Sequence, residues 1–303
     1  MSFHPWTPIV QRVPILDDIL QSEFWMVRED LLPFPLSGNK VRKVDAELRE
    51  LQAEVDVVIT NGGVDSNYCR TLAFFAASRG THAHLVLHGD TQELKSTSVH
   101  VLTSLGATFD IGAANTIARR IDTAKQEFER QGKKVHVLSG GGHSIAGAEA
   151  FKLAGKEVFL DNNFDQVFVA SGTGATQGGL VAAAELYSPQ TQIVGISVAR
   201  TTERGVAPIE EAARWAGSHD PSVTFDDRFR AGGYGVTDGR TSEACEIGWS
   251  HGVPLDRTYT GKAFAGLIDY SQKGLLGSRV LFWHTGGLMN WIAQEFKNEE
   301  MPN

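Results

Sequence analysis

Short apolar runs alternate with segments of helical period along most of the chain. The runs are rich in Val, Ile, Leu and Phe, a composition typical of buried strands. Between them, apolar positions recur at helical spacing, which predicts amphipathic helices. Predicted strands cover residues 55–60, 84–88, 108–111, 134–138, 166–170, 192–198 and 278–283, and predicted helices include 41–52, 67–79 and a segment ending near residue 187.

This alternation predicts an α/β fold, with parallel sheets that are flanked by helices. No Pro/Ser-rich linker and no internal repeat divides the chain, so two domains would have to arise by the chain crossing between two sheets. The N-terminal lead to about residue 30 carries no predicted element. Ligands bind such sheets at the carboxyl ends of the strands, and several glycine-rich loops of this sequence fall there.

Composition excludes several classes of function. The chain has 303 residues and a net charge of −8, which argues against binding to nucleic acid or to anionic membrane surfaces. We find no apolar run of membrane-spanning length and no export signal. Two cysteines, Cys69 and Cys245, cannot form a disulfide framework, so we expect a cytoplasmic protein. The ten histidines are scattered, and we expect no metal site.

One lysine stands at a chemically informative place. The stretch 36–43 delivers Lys40 from a Ser-Gly-Asn turn onto the first turn of the helix predicted over 41–52. The positive end of the helix dipole disfavours an ammonium there, so we expect a lowered pKa for Lys40. A lysine with a lowered pKa suits Schiff-base chemistry. The simpler interpretation, that Lys40 is one of the 28 Lys and Arg residues on a solvated helix, stays open at this point.

Two glycine-rich loops follow predicted strands and open helices. In the loop 61–67, Ser66 or Asn67 can cap the helix while backbone N–H groups form an anion site that suits a carboxylate. The loop 171–179 has the composition of a phosphate cradle. It lacks the Gly-Lys-Ser/Thr ending of a Walker loop and a strict GxGxxG pattern, which favours a monophosphate cofactor over ATP or NAD. The simpler interpretations are a helix cap after a glycine turn for 61–67 and a tight strand-to-helix turn for 171–179.

Three further stretches complete a pattern. Tyr234 and Tyr259 lie beside glycines in 232–235 and 259–262, and Thr285 follows the last predicted strand in His-Thr-Gly-Gly. Each is weak evidence alone, because lone tyrosines are usually packing residues. Together the stretches supply a lysine for an aldehyde, a cradle for a phosphate, aromatic rings and a hydroxyl for a ring nitrogen. These are the needs of pyridoxal 5′-phosphate.

With these motifs in this order, the sequence resembles the D-cysteine desulfhydrase and 1-aminocyclopropane-1-carboxylate (ACC) deaminase family, over about the whole chain. The resemblance implies the fold-type II, tryptophan synthase β-like architecture, in which residues 53–152 form a small domain that closes over a large domain of 1–52 and 153–303. It also implies a homodimer that acts on a small amino acid.

The resemblance assigns roles to individual residues. Lys40 matches the Schiff-base lysine, Asn67 the partner of the cofactor's phenolic oxygen, and Ser66 the group that holds the substrate carboxylate and can help to move protons. Tyr234 and Tyr259 match the two active-site tyrosines. The family's phosphate-binding loop corresponds here to Gly172, Thr173, Gly174, Ala175 and Thr176.

Residue 260 bears on the reaction. ACC deaminase is expected to have a glutamate directly after the second tyrosine, and a carboxylate there would keep a proton on the ring nitrogen. This chain has Thr260, so Thr260 and Thr285 are the expected hydroxyl partners of a neutral ring, as in the desulfhydrase. A neutral ring suits α,β-elimination of a good leaving group. We therefore expect a carbon–sulfur lyase that forms pyruvate and ammonia, with sulfide if the substrate is cysteine.

Three departures from the family pattern leave the substrate open. Asp65 and Tyr68, both expected near the substrate, replace residues of other types, and the stretch 89–95 is shorter than expected. D-cysteine is the leading candidate, and a basic or neutral β-substituted amino acid is an alternative. ACC deaminase, a specialised biosynthetic lyase or β-replacement enzyme, and a catalytically silent cofactor-binding protein are alternative functions.

Overall fold

Two β-sheets organise the computed structural model, which describes residues 6–32, 38–51, 54–90 and 97–295. In the described residues the larger sheet has the order β1-β2-β10-β7-β8-β9 and the smaller one β5-β4-β3-β6. All neighbouring strands are parallel except the pair β1 and β2. The strands are β1 (Val10–Arg12), β2 (Glu23–Arg28), β3 (Val57–Gly63), β4 (His82–His88), β5 (Thr108–Gly112), β6 (Val135–Val137), β7 (Gln166–Ser171), β8 (Gln192–Ser197), β9 (Thr224–Asp226) and β10 (Arg279–His284).

Helices cover both sheets and connect their parallel strands. They are α1 (Asp17–Leu20), α2 (Lys40–Glu50), α3 (Asn67–Ser78), α4 (Thr97–Ser104), α5 (Ile117–Arg130), α6 (Ile145–Asp161), α7 (Ala175–Tyr187), α8 (Thr202–Trp215), α9 (Gly239–Ser250), α10 (Thr260–Gln272) and α11 (Leu288–Glu295). In the described part of the chain, no helix is both long enough and apolar enough to cross a membrane.

The central strands of the larger sheet are buried on both faces. Along β7, Val167 and Val169 belong to one apolar cluster, whereas Phe168 and Ala170 belong to another. Successive side chains of a strand point to opposite faces, so a continuous apolar run supplies both clusters. The strand β3 of the smaller sheet is also apolar on both faces. Ile59 packs against α5, and Val58 belongs to the cluster that includes residues of α3.

The chain enters and leaves the smaller sheet once. That sheet is built from residues 57–137, whereas the larger one takes its strands from 10–28 and 166–284. The helices α2 and α6, which lie at the two crossings, pack against each other. This arrangement supports our proposal that 53–152 form a small domain and that 1–52 with 153–303 form a large one.

The N-terminal lead is where the sequence prediction was wrong. It contains β1 and β2, and β2 lies in register with β10, with Glu23 opposite Arg279 and Arg28 opposite His284. The partner strand is some 250 residues away along the chain, so the local periodicity of the N-terminal lead contains little information about this pairing. The prediction also omitted the short β9 and the antiparallel pairing of β1. All seven predicted strands are present, with ends shifted by a few residues.

Candidate active site

A cavity of about 500 Å³ is lined by residues at the carboxyl ends of strands from both sheets. This is the place predicted for ligands in parallel sheets. The wall includes the start of α2, both glycine-rich loops, the two tyrosines and the turn after β10. From the predicted set it includes Lys40, Ser66, Asn67, Tyr68, Gly172, Thr173, Gly174, Thr176, Tyr234, Tyr259 and Thr285.

Backbone contacts fix the start of α2 in the cavity wall. Gly38 forms a β-bridge with Gly286, and the Asn39 N–H donates to the Thr285 carbonyl over 3.1 Å. The Asn39 side chain donates to Thr176 Oγ1 over 3.1 Å, which joins α2 to the second glycine loop. Gly38 has a φ of +142°, and a Cβ there would lie 2.8 Å from the Thr285 oxygen. Only glycine fits this approach. Residues 36 and 37 of the same motif lie outside the described residues.

Lys40 projects into the cavity and has the lowered pKa that the sequence predicted, but for a different main reason. Its Nζ donates to the Gly141 carbonyl over 3.3 Å. Burial lowers the pKa of Lys40 to about 8, because an ammonium loses hydration inside the cavity, and the Glu47 carboxylate opposes this change. We attributed the lowered pKa to the helix dipole, whereas loss of hydration is the largest cause.

Lys43 and Glu47 form, with Lys40, a charged row on one face of α2 that the sequence analysis missed. Lys43 lines the cavity, and burial together with the nearby Lys40 charge holds its pKa well below the usual value. Glu47 accepts hydrogen bonds from Tyr68 Oη at 2.5 Å and from Ser144 Oγ at 2.6 Å, and burial raises its pKa. The helical spacing of three and seven residues from Lys40 was the available signal.

The first glycine loop places two predicted residues in the wall. Ser66 caps α3, its Oγ accepting the Cys69 N–H at 3.3 Å, as the sequence predicted. A Cβ on Gly62 would lie 2.7 Å from that Oγ, so glycine is required where the loop folds back on the cap. Asn67 lines the cavity, and its Oδ1 accepts a hydrogen bond from buried Arg70, which leaves the amide NH₂ available as a donor. The Arg70 contact was not predicted.

Two of the departures from the family pattern have structural explanations. Asp65 is not among the residues that line the cavity, and its charge acts on buried Arg70. The sequence predicts that Asp65 binds the substrate, but the structure does not bring Asp65 to the cavity wall. Tyr68 does line the cavity, but its hydroxyl is engaged by Glu47. In the stretch 89–95, residues 91–95 lie outside the described residues.

The second glycine loop fits a phosphate. Gly174 has a φ of +109° and precedes α7, whose first-turn N–H groups have no intrahelical acceptor. Two buried hydroxyl oxygens, Ser171 Oγ and Thr173 Oγ1, have no hydrogen-bond partner among the described residues. Unpartnered hydroxyls beside a helix N-terminus are suited to the oxygens of a dianion. Ala175 is buried outside the wall, so only its backbone can contribute to this cradle.

The two predicted tyrosines are hydrogen-bonded to each other. Tyr234 Oη and Tyr259 Oη lie 2.7 Å apart, and the ring planes meet at 73°. Although 42% of Tyr234 is exposed, its hydroxyl end reaches inward to Tyr259. Burial raises the pKa of both hydroxyls, most strongly for Tyr259. At neutral pH both hydroxyls therefore stay protonated and can donate hydrogen bonds.

Thr260 and Thr285, the two expected ring partners, occupy different environments. Thr285 lines the cavity at the end of β10. Thr260 is fully buried, and its Oγ1 donates to Asp256 Oδ1 over 2.8 Å while it accepts the Asp256 N–H at 2.9 Å. Its hydroxyl therefore stabilises the turn before α10, and the prediction that Thr260 contacts the cofactor does not agree with its position. Thr285 is left as the hydroxyl candidate of this pair.

The cavity wall contains several basic side chains. Besides Lys40 and Lys43 it includes His88, at the end of β4, and Arg200, after β8. No Asp or Glu of the described residues is part of this wall. His88 packs near Tyr234, since a Cβ built on Gly63 would lie 3.3 Å from one ring and 3.6 Å from the other. The sequence analysis missed His88 because a histidine at a strand end has no distinctive spacing.

A family model described as "pyridoxal-phosphate dependent enzyme" matches residues 2–286. The chain belongs to this family. The lysine, the glycine cradle with its two buried hydroxyls and the tyrosine pair fit the cofactor, because they offer an amine, phosphate donors and a ring contact in one cavity. The predicted cofactor and the enzyme assignment are thereby confirmed.

Individual relatives agree with the predicted family and fold. The chain is 32% identical over 297 residues to a putative ACC deaminase of Pyrococcus horikoshii, covering 94% of this chain and 90% of the relative. It is 32% identical over 304 residues to a D-cysteine desulfhydrase of Salmonella choleraesuis, covering 93% and 91%.

Solved structures give the same result. The crystal structure of an ACC deaminase homologue superposes with a TM-score of 0.85 at 30% identity, covering 98% of this chain and 94% of the other. A threonine deaminase from Solanum lycopersicum, with a TM-score of 0.68 at 16% identity, covering 98% and 88%, shares the fold. The predicted fold-type II class is confirmed.

Proposed function

We propose that the chain is a lyase that removes the β-substituent and the amino group from a small amino acid, with D-cysteine as the leading candidate substrate. With one water consumed, which supplies the keto oxygen, the products would then be pyruvate, ammonia and sulfide. The observation that carries the proposal is a lysine with a lowered pKa in a cavity whose wall includes Thr285 and no described carboxylate. Two relatives, named as a putative ACC deaminase and a D-cysteine desulfhydrase, support the same reaction class.

When bound, pyridoxal phosphate withdraws electrons from the substrate Cα and so acidifies its proton. Lys40, with a pKa of about 8, is suited to accept that proton near neutral pH. Ser66 and the N–H groups of the loop 61–67 can hold the substrate carboxylate, as the basic side chains of the wall favour. The Tyr234–Tyr259 pair can donate a hydrogen bond to the leaving group, since both hydroxyls keep their protons at neutral pH.

Ring opening of ACC is the second candidate, favoured by the names of the Pyrococcus relatives. The surroundings of residue 260 argue against it. In this chain the nearest carboxylate to that position is Asp256, which accepts hydrogen bonds from the backbone N–H groups of Thr258, Tyr259 and Thr260. These bonds hold it in the turn, outside the cavity wall.

The predicted homodimer and cytoplasmic location are further proposals, which rest on the resemblance and on cysteine usage.

The test is a product analysis with the purified holoenzyme. D-cysteine, L-cysteine and ACC are supplied in turn, and pyruvate, sulfide and α-ketobutyrate are assayed separately. We expect pyruvate and sulfide in equal amounts from D-cysteine, loss of turnover in Lys40→Ala, and normal turnover in the exposed control Lys133→Ala. Formation of α-ketobutyrate from ACC, without pyruvate from either cysteine, would establish the second candidate instead.

A further inference from the structure

Lys262, in the first turn of α10, is a fully buried lysine, and no carboxylate of the described residues is hydrogen-bonded to it. Its Nζ donates to three backbone carbonyls, those of Val198 at 2.9 Å, Arg230 at 2.9 Å and Gly233 at 2.8 Å. An ammonium has three N–H donors, so these acceptors match its hydrogen-bonding capacity. Buried lysines are rare unless they are paired, which indicates a specific role for this one.

The three carbonyls belong to segments that border the cavity. Val198 follows β8 and lines the cavity wall. Arg230 and Gly233 lie in the turn that leads directly to Tyr234, where the Gly233 N–H donates to the Arg230 carbonyl over 2.9 Å. The ammonium therefore cross-links the end of a central strand to the segment that carries one of the two tyrosines.

The segment 230–236 has few other constraints. It contains no helix or strand, and Ala231, Gly232 and Gly235 have positive φ values of 53°, 95° and 72°. Tyr234 is 42% exposed and Val236 is 47% exposed, so little apolar burial fixes the segment. Segments with few buried contacts open locally at low free energy. The carbonyl contacts of Lys262 are therefore among the few contacts that fix this segment.

We propose that Lys262 is a positioning residue whose buried ammonium acts as a built-in monovalent cation, holding the segment 230–236 so that Tyr234 reaches Tyr259. A set of backbone carbonyls is also the ligand arrangement that selects K⁺ in proteins. The proposal rests on the proposed function only for the role of Tyr234 in turnover. The structural part, that a cation secures this segment, is independent of the substrate.

The charged state of Lys262 gives the proposal a pH dependence. Burial lowers the pKa of Lys262 to about 8, Asp238 and Asp256 oppose this, and Arg230 adds to it. The ammonium is the form below the pKa. The segment should therefore be secured at pH 7 and released as the pH rises through about 8 to 9.

The experiment compares holoenzymes of the wild type, Lys262→Met, Lys262→Ala and Lys273→Met. Lys273, at the end of the same helix, is the exposed control. Trypsin cleavage after Arg228 and Arg230, followed by mass spectrometry, reports opening of the segment without any substrate. We expect cleavage about tenfold faster in both Lys262 variants than in the wild type and in Lys273→Met. Cleavage of wild type should accelerate above pH 8, after correction with a control peptide.

Cation rescue separates charge from side-chain volume. The Ala variant leaves room for an ion, whereas the Met variant fills it. NH₄Cl or KCl at about 0.1 M, compared with choline chloride at the same ionic strength, should restore protection and turnover in Lys262→Ala but not in Lys262→Met. If Lys262→Ala folds only when refolded in NH₄Cl, the same ion requirement supports the proposal. Wild-type cleavage rates in Lys262→Met, or no difference between the salts in Lys262→Ala, would overturn it.

Discussion

Replacing Glu47 by Gln should lower the pKa of Lys40 further. In the described part of the chain, the Glu47 carboxylate is the one group that raises this pKa against the effect of burial. The two residues are seven positions apart on α2, or about 10 Å along the helix axis. At that distance an effective dielectric constant of about 20 gives roughly 1.5 kcal/mol, which corresponds to about one pH unit. We therefore expect the pKa of Lys40 to fall from about 8 to about 7.

The consequence is a change in the reactive fraction of the amine. At pH 7, a lysine with a pKa of about 8 is neutral in roughly one molecule in ten, and with a pKa of about 7 it is neutral in about half. The Gln side chain keeps one acceptor oxygen and places an NH₂ at the other position, where the hydroxyl of Tyr68 or Ser144 can turn to accept. The variant therefore removes the charge with little change in side-chain volume.

Competitive acetylation of the cofactor-free protein, read peptide by peptide with mass spectrometry, measures this pKa directly. The exposed Lys133 serves as the internal standard, and Glu50→Gln on the exposed side of α2 is the matched control. The control should leave Lys40 unchanged because solvent screens an exposed charge. An unchanged pKa in Glu47→Gln would mean that Glu47 is protonated at neutral pH and would refute the electrostatic argument. A pKa of Lys40 near that of a free lysine in the wild type would refute the effect of burial.

Two further predictions concern stability. Glu29 is fully buried and accepts Arg42 Nε at 2.8 and 3.0 Å, so Glu29→Gln leaves a buried guanidinium without its counter-charge and should lower the free energy of unfolding by about 3–5 kcal/mol. Urea titration checks this, and a loss below about 1 kcal/mol would contradict it. Gly179→Ala places a Cβ 2.3 Å from the Ala148 carbonyl and should cost about 1–3 kcal/mol by separating α6 from α7. In thermal unfolding, Gly239→Ala, which meets nothing within 4 Å, should be neutral or slightly stabilising.

The sequence by itself determined the cofactor chemistry and most of the fold. Apolar runs reveal strands because a buried parallel strand needs apolar residues on both faces, as β7 shows. Glycines revealed the two loops because tight turns and close backbone approach exclude a Cβ, as at Gly38 and Gly62. Such requirements act on neighbouring residues of the chain, so local sequence records them.

Only the tertiary structure decided what depends on contacts between distant residues. The pairing of β2 with β10 joins the two ends of the chain, and no local pattern in 1–30 specifies it. Residues 256 and 260 are close in sequence, but only the folded turn shows that Thr260 donates a hydrogen bond to Asp256. Of the two threonines, Thr285 alone lines the cavity. The pKa of Lys40 likewise depends on burial, which the packing of separate segments creates. Hydration and hydrogen-bond geometry are properties of the assembled fold.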